Sequence, residues 1–409
     1  MTPSDSKPKQ SRTPSGLVCA EITRSELADW LHLLETPGIG RLSARRLLAT
    51  FGSPGAVREA SRAALSAQVG ATLAAVLQRP LDDVAAQVDA TWEWLQGAPT
   101  RQVLTLDQPG LYPRGWLDSA DPPLLLWTDG DIGLLQRPML AIVGTRHPTP
   151  DGLAHAHDFA AAASAAGLCV VSGLAIGVDG AAHEGALTGP VGTVAVLGSG
   201  LDRIYPRSHV DLARRIAGQG LLISEMPLGT APLPSHFPQR NRLIATAALG
   251  TLVVEAAMRS GSLLTARLSV EAGREVFAIP GSVHNPQSRG CHALIRQGAK
   301  LVETLQDVLE ELHLAARTGM PKDAEAVPPP VVPDARPEQD VVRQLPLVTD
   351  DAPEDPLLAA LGWSAATLDV LQARTGWSAA SLSVRLLELE LSGQVLRLPG
   401  GVFQRRASA

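Results

Sequence analysis

Aromatic side chains are scarce in this 409-residue sequence: seven Trp, two Tyr and five Phe. So few rings cannot both fill cores and build an extended base-stacking platform, which argues against a single-strand binder of the aromatic OB-fold kind. Lysine is nearly absent. Of 35 basic residues, 31 are Arg and four are Lys (Lys7, Lys9, Lys300, Lys322), and the formal net charge is −6. That balance argues against a uniformly basic protein that coats nucleic acid. The cysteines Cys19, Cys169 and Cys291 are odd in number, widely spaced and without metal-ligand spacing. A reduced, intracellular protein without bound metal is expected. No apolar stretch opens the chain, so no secretory signal is expected. The uncharged run from Phe159 to Val178 is long enough by count to span a bilayer. Gly167, Ser172 and Gly173 interrupt it, and it reads as helix, turn, strand and turn, so no membrane span is expected. A P-loop Gly-Lys-Ser/Thr is missing, and the glycines do not fall into G-x-G-x-x-G. ATP hydrolysis of that type and a bound dinucleotide are therefore not expected, and no cofactor is implied.

What is present points to a folded chain of several domains. Hydrophobic residues make up 45% and charged residues 19%, and at ~150 residues per domain the length suits two or three. Residues 1–20 read as a disordered polar tail and 21–97 as a helical domain. Residues 98–317 begin with a connecting segment holding one strand at Leu124–Trp127. From Met139 they then alternate strand, turn and helix. Strands are expected at 139–143, 168–171, 192–197, 221–224, 251–254, 275–279 and 300–302. Short Val, Ile and Leu runs between helices predict an α/β fold with a mainly parallel sheet covered on both faces. Residues 318–355 carry nine acidic and three basic residues and eight prolines, a stiff solvated linker. In 356–409, three helical patterns and a hairpin around Pro399-Gly400-Gly401 suggest a winged helix.

In an open parallel sheet, ligands bind beyond the carboxyl ends of the strands. Those ends hold Gly144-Thr145-Arg146, Ser172-Gly173, Gly198-Ser199-Gly200, Ser224-Glu225, Glu255 before Ser260-Gly261-Ser262, and Pro280-Gly281-Ser282. Glycine lets backbone amides approach an oxyanion, and helix N-termini favour negative charge, so an anionic ligand is expected, with phosphate the best fit. Phe237-Pro238-Gln239-Arg240-Asn241-Arg242 is the densest polar anchor. Arginine in the first turn of the helix expected over 239–248 is not explained by the helix dipole, which favours acids there. Phosphate binding is the preferred reading; salt bridges to Glu225 or Glu255 are the alternative.

At these residues the chain resembles the DNA-processing protein A family, also called Smf. The matching motifs are Tyr112-Pro113 with Asp121-Pro122-Pro123, Val143-Gly144-Thr145-Arg146, Ser172-Gly173-Leu174-Ala175 with Gly177, Asp179, Ala182 and His183, Tyr205-Pro206, Phe237-Pro238 with Arg240-Asn241-Arg242, and Ser260-Gly261-Ser262-Leu263 with Thr265-Ala266. Pro280-Gly281, Gly290-Cys291 and Gly298-Ala299 complete the set, which covers about 100–317 in order. The resemblance implies an extended Rossmann fold between sterile-alpha-motif-like helices and a winged helix. It also implies a non-catalytic, cytoplasmic homodimer that binds single-stranded DNA. Such a protein protects incoming DNA and loads RecA recombinase past single-strand-binding protein during natural transformation. Carried over by motif, the DNA-binding residues are Gly144, Thr145, Arg146, Gly173, Arg207, Phe237, Arg240, Asn241, Arg242, Ser260, Gly261, Ser262 and Thr265. Phe237 is expected either to stack on a base or to serve as an ordinary core residue.

Smaller signals have plainer alternatives. Pro37-Gly38-Ile39-Gly40 before Arg41, Arg45 and Arg46 resembles a helix-hairpin-helix turn that grips phosphates, or an ordinary inter-helix turn. Asp179, His183 and Ser172 invite a Ser-His-Asp reading, but the nucleophile elbow is missing and ordering of the glycine loop is the better expectation. His155 and His157 point to different helix sides, which does not favour a metal site. The helix expected over 378–391 sets Arg385 against Glu388 and Glu390, a poor groove reader. A phosphoribohydrolase-like enzyme needs a Pro-Gly-Gly-x-Gly-Thr turn that Pro280-Gly281-Ser282 does not supply. A winged-helix transcription regulator is the third reading, and the acidic recognition helix speaks against it.

Overall fold

A computed structural model describes residues 22–317, 355–398 and 400–406. The tail expected over 1–20 and the linker expected over 318–355, apart from Asp355, lie outside the described residues. The chain divides after Leu312 into two compact units.

The first unit is built on nine strands: β1 (Arg101–Thr105), β2 (Leu125–Gly130), β3 (Met139–Val143), β4 (Cys169–Ser172), β5 (Thr193–Leu197), β6 (Leu221–Ser224), β7 (Gly250–Val253), β8 (Glu275–Ala278) and β9 (Lys300–Leu301). Their spatial order is β1-β2-β6-β5-β4-β3-β7-β8-β9. From β6 to β9 all neighbours run parallel; β2 joins β6, and β1 joins β2, antiparallel. The chain steps outward from β3 to β6, then returns to place β7 on the other side of β3, with Leu140 opposite Gly250. That reversal makes a crevice beyond the carboxyl ends of β3 and β7, the usual ligand position of such sheets.

Every residue of β3, β4 and β5 is buried, which is why these strands read as unbroken apolar runs. Met139, Ala141 and Val143 face one layer with Leu243, Ile244, Ala266 and Cys291, from helices 236–247, 261–271 and 289–296. Leu140 and Ile142 face the other, packed on helices 150–165, 178–187 and 305–317. The run Phe159–Val178 resolves into the end of helix 150–165, a turn with Gly167 at φ 90°, β4 and the loop after it. Among the described residues no helix is long and apolar enough to cross a membrane.

Six helices between Arg24 and Gln96 precede the sheet. Thr23 and Glu26 form a reciprocal capping box at the first, fixing where it starts. Their apolar faces do not close on themselves: Leu27, Trp30 and Leu31 share one core with Val103, Leu125 and Trp127 of the sheet.

Strand positions from β3 onward match expectation within a residue or two; β2 runs three residues past the expected Trp127, and there are additions. β1 is an edge strand that opens on the polar pair Arg101-Gln102, so it lacks the apolar run that marks the central strands. Helix 289–296 begins Arg-Gly-Cys-His and reads as a loop until Cys291 is seen buried against the carbonyls of Val253 and Val254. Helix 236–247 starts three residues before the expected 239. Pro238 sits in its first turn, where a missing N–H costs nothing.

The second unit is a winged helix of helices 356–361, 368–375 and 379–391 with a three-stranded sheet. Its strands are β10 (Ala366–Thr367), β11 (Val395–Leu398) and β12 (Val402–Arg405), with β12 central. Leu357, Leu361, Leu371, Leu382, Leu386 and Leu389 form its core.

Candidate functional site

Four of the helix N-termini at the carboxyl rim of the parallel sheet differ in what neutralises them. At helix 150–165 the cap residue Thr149 donates its N–H and hydroxyl to Glu255, at 2.9 and 2.7 Å. Asn285 adds a third hydrogen bond to the same carboxylate at 3.2 Å. Glu255 thus fills the place where a sheet of this topology would bind a phosphate. In the loop before helix 178–187, the amides of Gly173 and Ala175 donate to Asp179 at 3.1 and 3.4 Å. Helices 236–247 and 261–271, on the opposite face, have no acid in their first turns. Ser260 caps the second with its hydroxyl, and the first has no side-chain cap. Carboxylates already occupy the first two helix N-termini, whereas the acids nearest helix 236–247, Asp121 and Glu225, are taken up by arginines and not by its N-terminus.

The rim also carries an exposed cluster around the first turn of helix 236–247. Phe237, in the first turn of helix 236–247, is half-buried with its ring edge against Gly198. The Arg146 guanidinium lies over that ring at 5.3 Å from its centroid. The Tyr205 ring stands beside it at 6.1 Å, tilted 45°, with 48% of the residue exposed. Tyr205 precedes Pro206 through a cis peptide bond, and Arg207 is exposed two residues further on. Among the described residues neither Arg146 nor Arg207 enters an ion pair. Two rings and two free guanidinium groups suit a base face beside a phosphate.

The other arginines of the motif behave differently. Because the helix begins at His236, Arg240 falls in its second turn and points inward. Its Nη1 donates to the Val196 carbonyl at 2.5 Å, and its guanidinium lies flat on Gly173, where a Cβ would come within 1.8 Å of Nη1. Burial pulls Arg240 down to about 10, and Asp179 opposes that fall. Arg242 is bound by Glu225 and by both the carboxylate and the carbonyl of Asp121, leaving 12% of its side chain exposed. Arg41 and Arg45, from the turn resembling a helix-hairpin-helix, reach the same Asp121 at 3.0 and 2.7 Å. Burial pushes the Glu225 carboxyl up, against the pull of Arg242 and Arg41. Salt bridging to Glu225, the alternative weighed for this motif, is what Arg242 does.

The thirteen expected residues therefore separate. Arg146, Arg207, Phe237, Asn241, Ser260 and Gly261 are exposed or half-exposed. Thr145, Gly173, Arg240, Ser262 and Thr265 are buried and Arg242 is taken up by Asp121 and Glu225, which corrects the expectation that each meets a ligand. Gly144 is half-buried, and a Cβ there would strike Val178 at 2.6 Å, so its glycine serves loop packing. Gly173 spends its amide on Asp179 and its bare Cα on Arg240. Tyr205 was missed as a site residue although its Tyr-Pro motif stood in the sequence; Asp121 was missed as the hub of three arginines.

The Ser-His-Asp arrangement does not form a relay. Ser172 donates to the Ile142 carbonyl at 2.6 Å. His183 Nε2 accepts from the Leu174 amide at 3.3 Å, so Nδ1–H faces Thr193 Oγ1 at 2.8 Å. This holds Leu174 at its positive φ of 59° and keeps the imidazole neutral, with burial lowering it to about 3.

With this geometry in place, comparison with known proteins is specific. A family model described as DNA recombination-mediator protein A matches residues 102–313, and one described as DprA winged helix domain matches 328–401. Protein Smf of Escherichia coli K12 is 38% identical over 342 residues, 83% of this chain and 86% of that protein. DNA processing protein DprA of Streptococcus pneumoniae R6 is 46% identical over 202 residues, 49% of this chain and 71% of that protein. The X-ray structure of DNA processing protein A from Streptococcus pneumoniae superposes with a TM-score of 0.61 at 35% identity, covering 71% of this chain and 98% of that one.

Proposed function

The chain belongs to the DNA recombination-mediator protein A family, and on that premise we propose that it holds single-stranded DNA along the part of the rim where Phe237, Tyr205, Arg146 and Arg207 are exposed. The observation that carries this reading is the Phe237 ring, half-exposed between Arg146 and Tyr205. Bases stack on the two rings, which is tolerant of sequence because every base has a π-face. Phosphates meet Arg146 and Arg207, and the exposed Gly261 at the N-terminus of helix 261–271 extends the track. Arg240 and Arg242 stiffen the helix that presents Phe237. Glu255 and Asp179 already take the amides at the start of helix 150–165 and in the loop before helix 178–187, so those positions offer the strand no anion site.

In this reading the protein does no chemistry on the strand. It protects incoming DNA and loads RecA recombinase against single-strand-binding protein during natural transformation, in the cytoplasm. As a homodimer it sets two such sites on one strand, which raises affinity without new contacts. Binding of a mixed-sequence single strand by Arg146→Ala and Arg207→Ala, titrated with salt, tests it. Each lost phosphate contact lowers the slope of log affinity against log salt by about 0.7. Unchanged affinity and slope in both variants would sink the assignment. RecA assembly on strands coated with single-strand-binding protein, with the wild type and with Arg146→Ala, tests the loading role; equal rates would remove it.

A further inference from the structure

The winged helix carries a second apolar seam that its own core does not use. In helix 379–391, Leu382, Leu386 and Leu389 face the core. Ala380, Val384, Leu387 and Leu391 recur at spacings of four, three and four. At about 100° per residue they fall in one straight stripe on the opposite side of the helix. All four are exposed, Val384 by 61%, Leu387 by 55% and Leu391 by 81%. This spacing is the a/d pattern of a helix that pairs with another helix. Glu390 and Ser383 flank the stripe on one side, Glu388 and Ser381 on the other. A shallow hollow lined by Ala380, Ser381, Val384, Arg385 and Glu388 lies beside it, open to one apolar knob.

This is the helix that a DNA-reading winged helix would lay in the major groove, and its outer face is wrong for that task. The stripe offers no donor to base edges, and its flanks repel phosphate. The basic residue of the helix, Arg385, is held by Asp355 and Glu388. A second copy of the same seam is also disfavoured, because it would set Glu388 and Glu390 against like charges.

We propose that the outer face of helix 379–391 is a docking site for an amphipathic helix of a partner protein, with apolar residues at heptad spacing and Lys or Arg at the flanking positions. The apolar stripe supplies contact area and Glu390, with the outer oxygen of Glu388 beside the Arg385 pair, selects the partner's charge.

The test uses the full chain and two labelled synthetic helices about three heptads long. Both carry Leu at the heptad apolar positions; one is flanked by Lys, the other by Glu. Fluorescence anisotropy at low salt is expected to favour the Lys-flanked helix by about tenfold, with Leu387→Glu reducing its binding by about tenfold. The paired change Glu388→Lys with Glu390→Lys is expected to reverse the preference. All three changes lie on the surface, and an unchanged thermal midpoint confirms that the fold persists. Equal or absent binding of both helices, or failure of the reversal, overturns the proposal. Loss of duplex DNA binding in Leu387→Glu would make the face a DNA reader, and loss of self-association in that variant would make it a self-pairing face; either also overturns it. Single-strand binding at Phe237 is a separate measurement and is expected to be unaffected by Leu387→Glu.

Discussion

Two groups of arginines stand at the same rim of one sheet in opposite states. Arg41, Arg45 and Arg242 converge on Asp121 and Glu225, so three cations meet two anions and the group is nearly neutral. Among the described residues Arg146 and Arg207 form no ion pair, and Arg146 lies on an aromatic ring instead. A guanidinium already surrounded by acids gains little from a phosphate and would have to break a buried pair to reach it. One that lies on a ring at the surface keeps its donors for a ligand. Arginine content therefore says little about nucleic-acid binding until the carboxylates have been placed. The first group ties helix 41–51, the Asp121 segment, the end of β6 and helix 236–247 together; the second faces outward from the structure so stiffened.

The sharpest way to break this contrast is Arg242→Ala. Removing one partner of a buried pair costs about 3–5 kcal/mol, so the thermal midpoint should fall by several degrees while Arg146→Ala leaves it in place. Equal midpoints would show that the two groups are not different in kind. Next is Phe237→Ala, expected to weaken single-strand binding by about 1–3 kcal/mol, the usual worth of one base stack. Phe237→Trp should retain binding and Phe237→Leu should not. If Leu restores both binding and thermal midpoint, the ring is core and not platform.

A pH-dependent effect concerns the loop beneath Arg240. His183 is neutral in the folded protein, lowered by burial to about 3 from its ordinary 6.5. As pH falls below 6.5 the unfolded chain takes up the proton first. The stability tied to this group is thus present above about 6.5 and lost toward about 3, by up to about 1.4 kcal/mol per pH unit. Denaturation of His183→Gln across that window should lack this slope; identical slopes in both proteins would refute the buried, neutral imidazole assigned here. The least effect is expected for Arg41→Ala. Its side chain is partly exposed and Asp121 keeps Arg45 and Arg242, so the cost is below about 1 kcal/mol. A larger loss would mean that the network acts as one unit.

The central fold was legible because β3, β4 and β5 are buried on both sides and must be apolar throughout. Edge strand β1 and helix 289–296 were not, because half of each meets solvent or another element and the pattern dilutes. The winged helix was legible from three helical periods and a Gly-Gly hairpin. At the site, Arg146, Arg207 and Phe237 were named and do reach the surface. Arg240 was placed one turn too early, since a proline in a first turn looks like a boundary. Tyr205 stood in a motif without a role, because a single ring declares nothing until Phe237 comes to rest against it.

By itself the sequence determined the order of the central strands and the helices between them, the sheet type, the winged helix and the family, because these depend on residue periodicity and on motifs contiguous along the chain. Only the tertiary structure decided which charges are spent. Asp121 and Glu225 lie more than a hundred residues apart in sequence, as do Thr149 and Glu255. Whether an arginine or a helix N-terminus still has charge to offer depends on a partner brought in by the fold, and Coulomb attraction depends on distance in space and not along the chain.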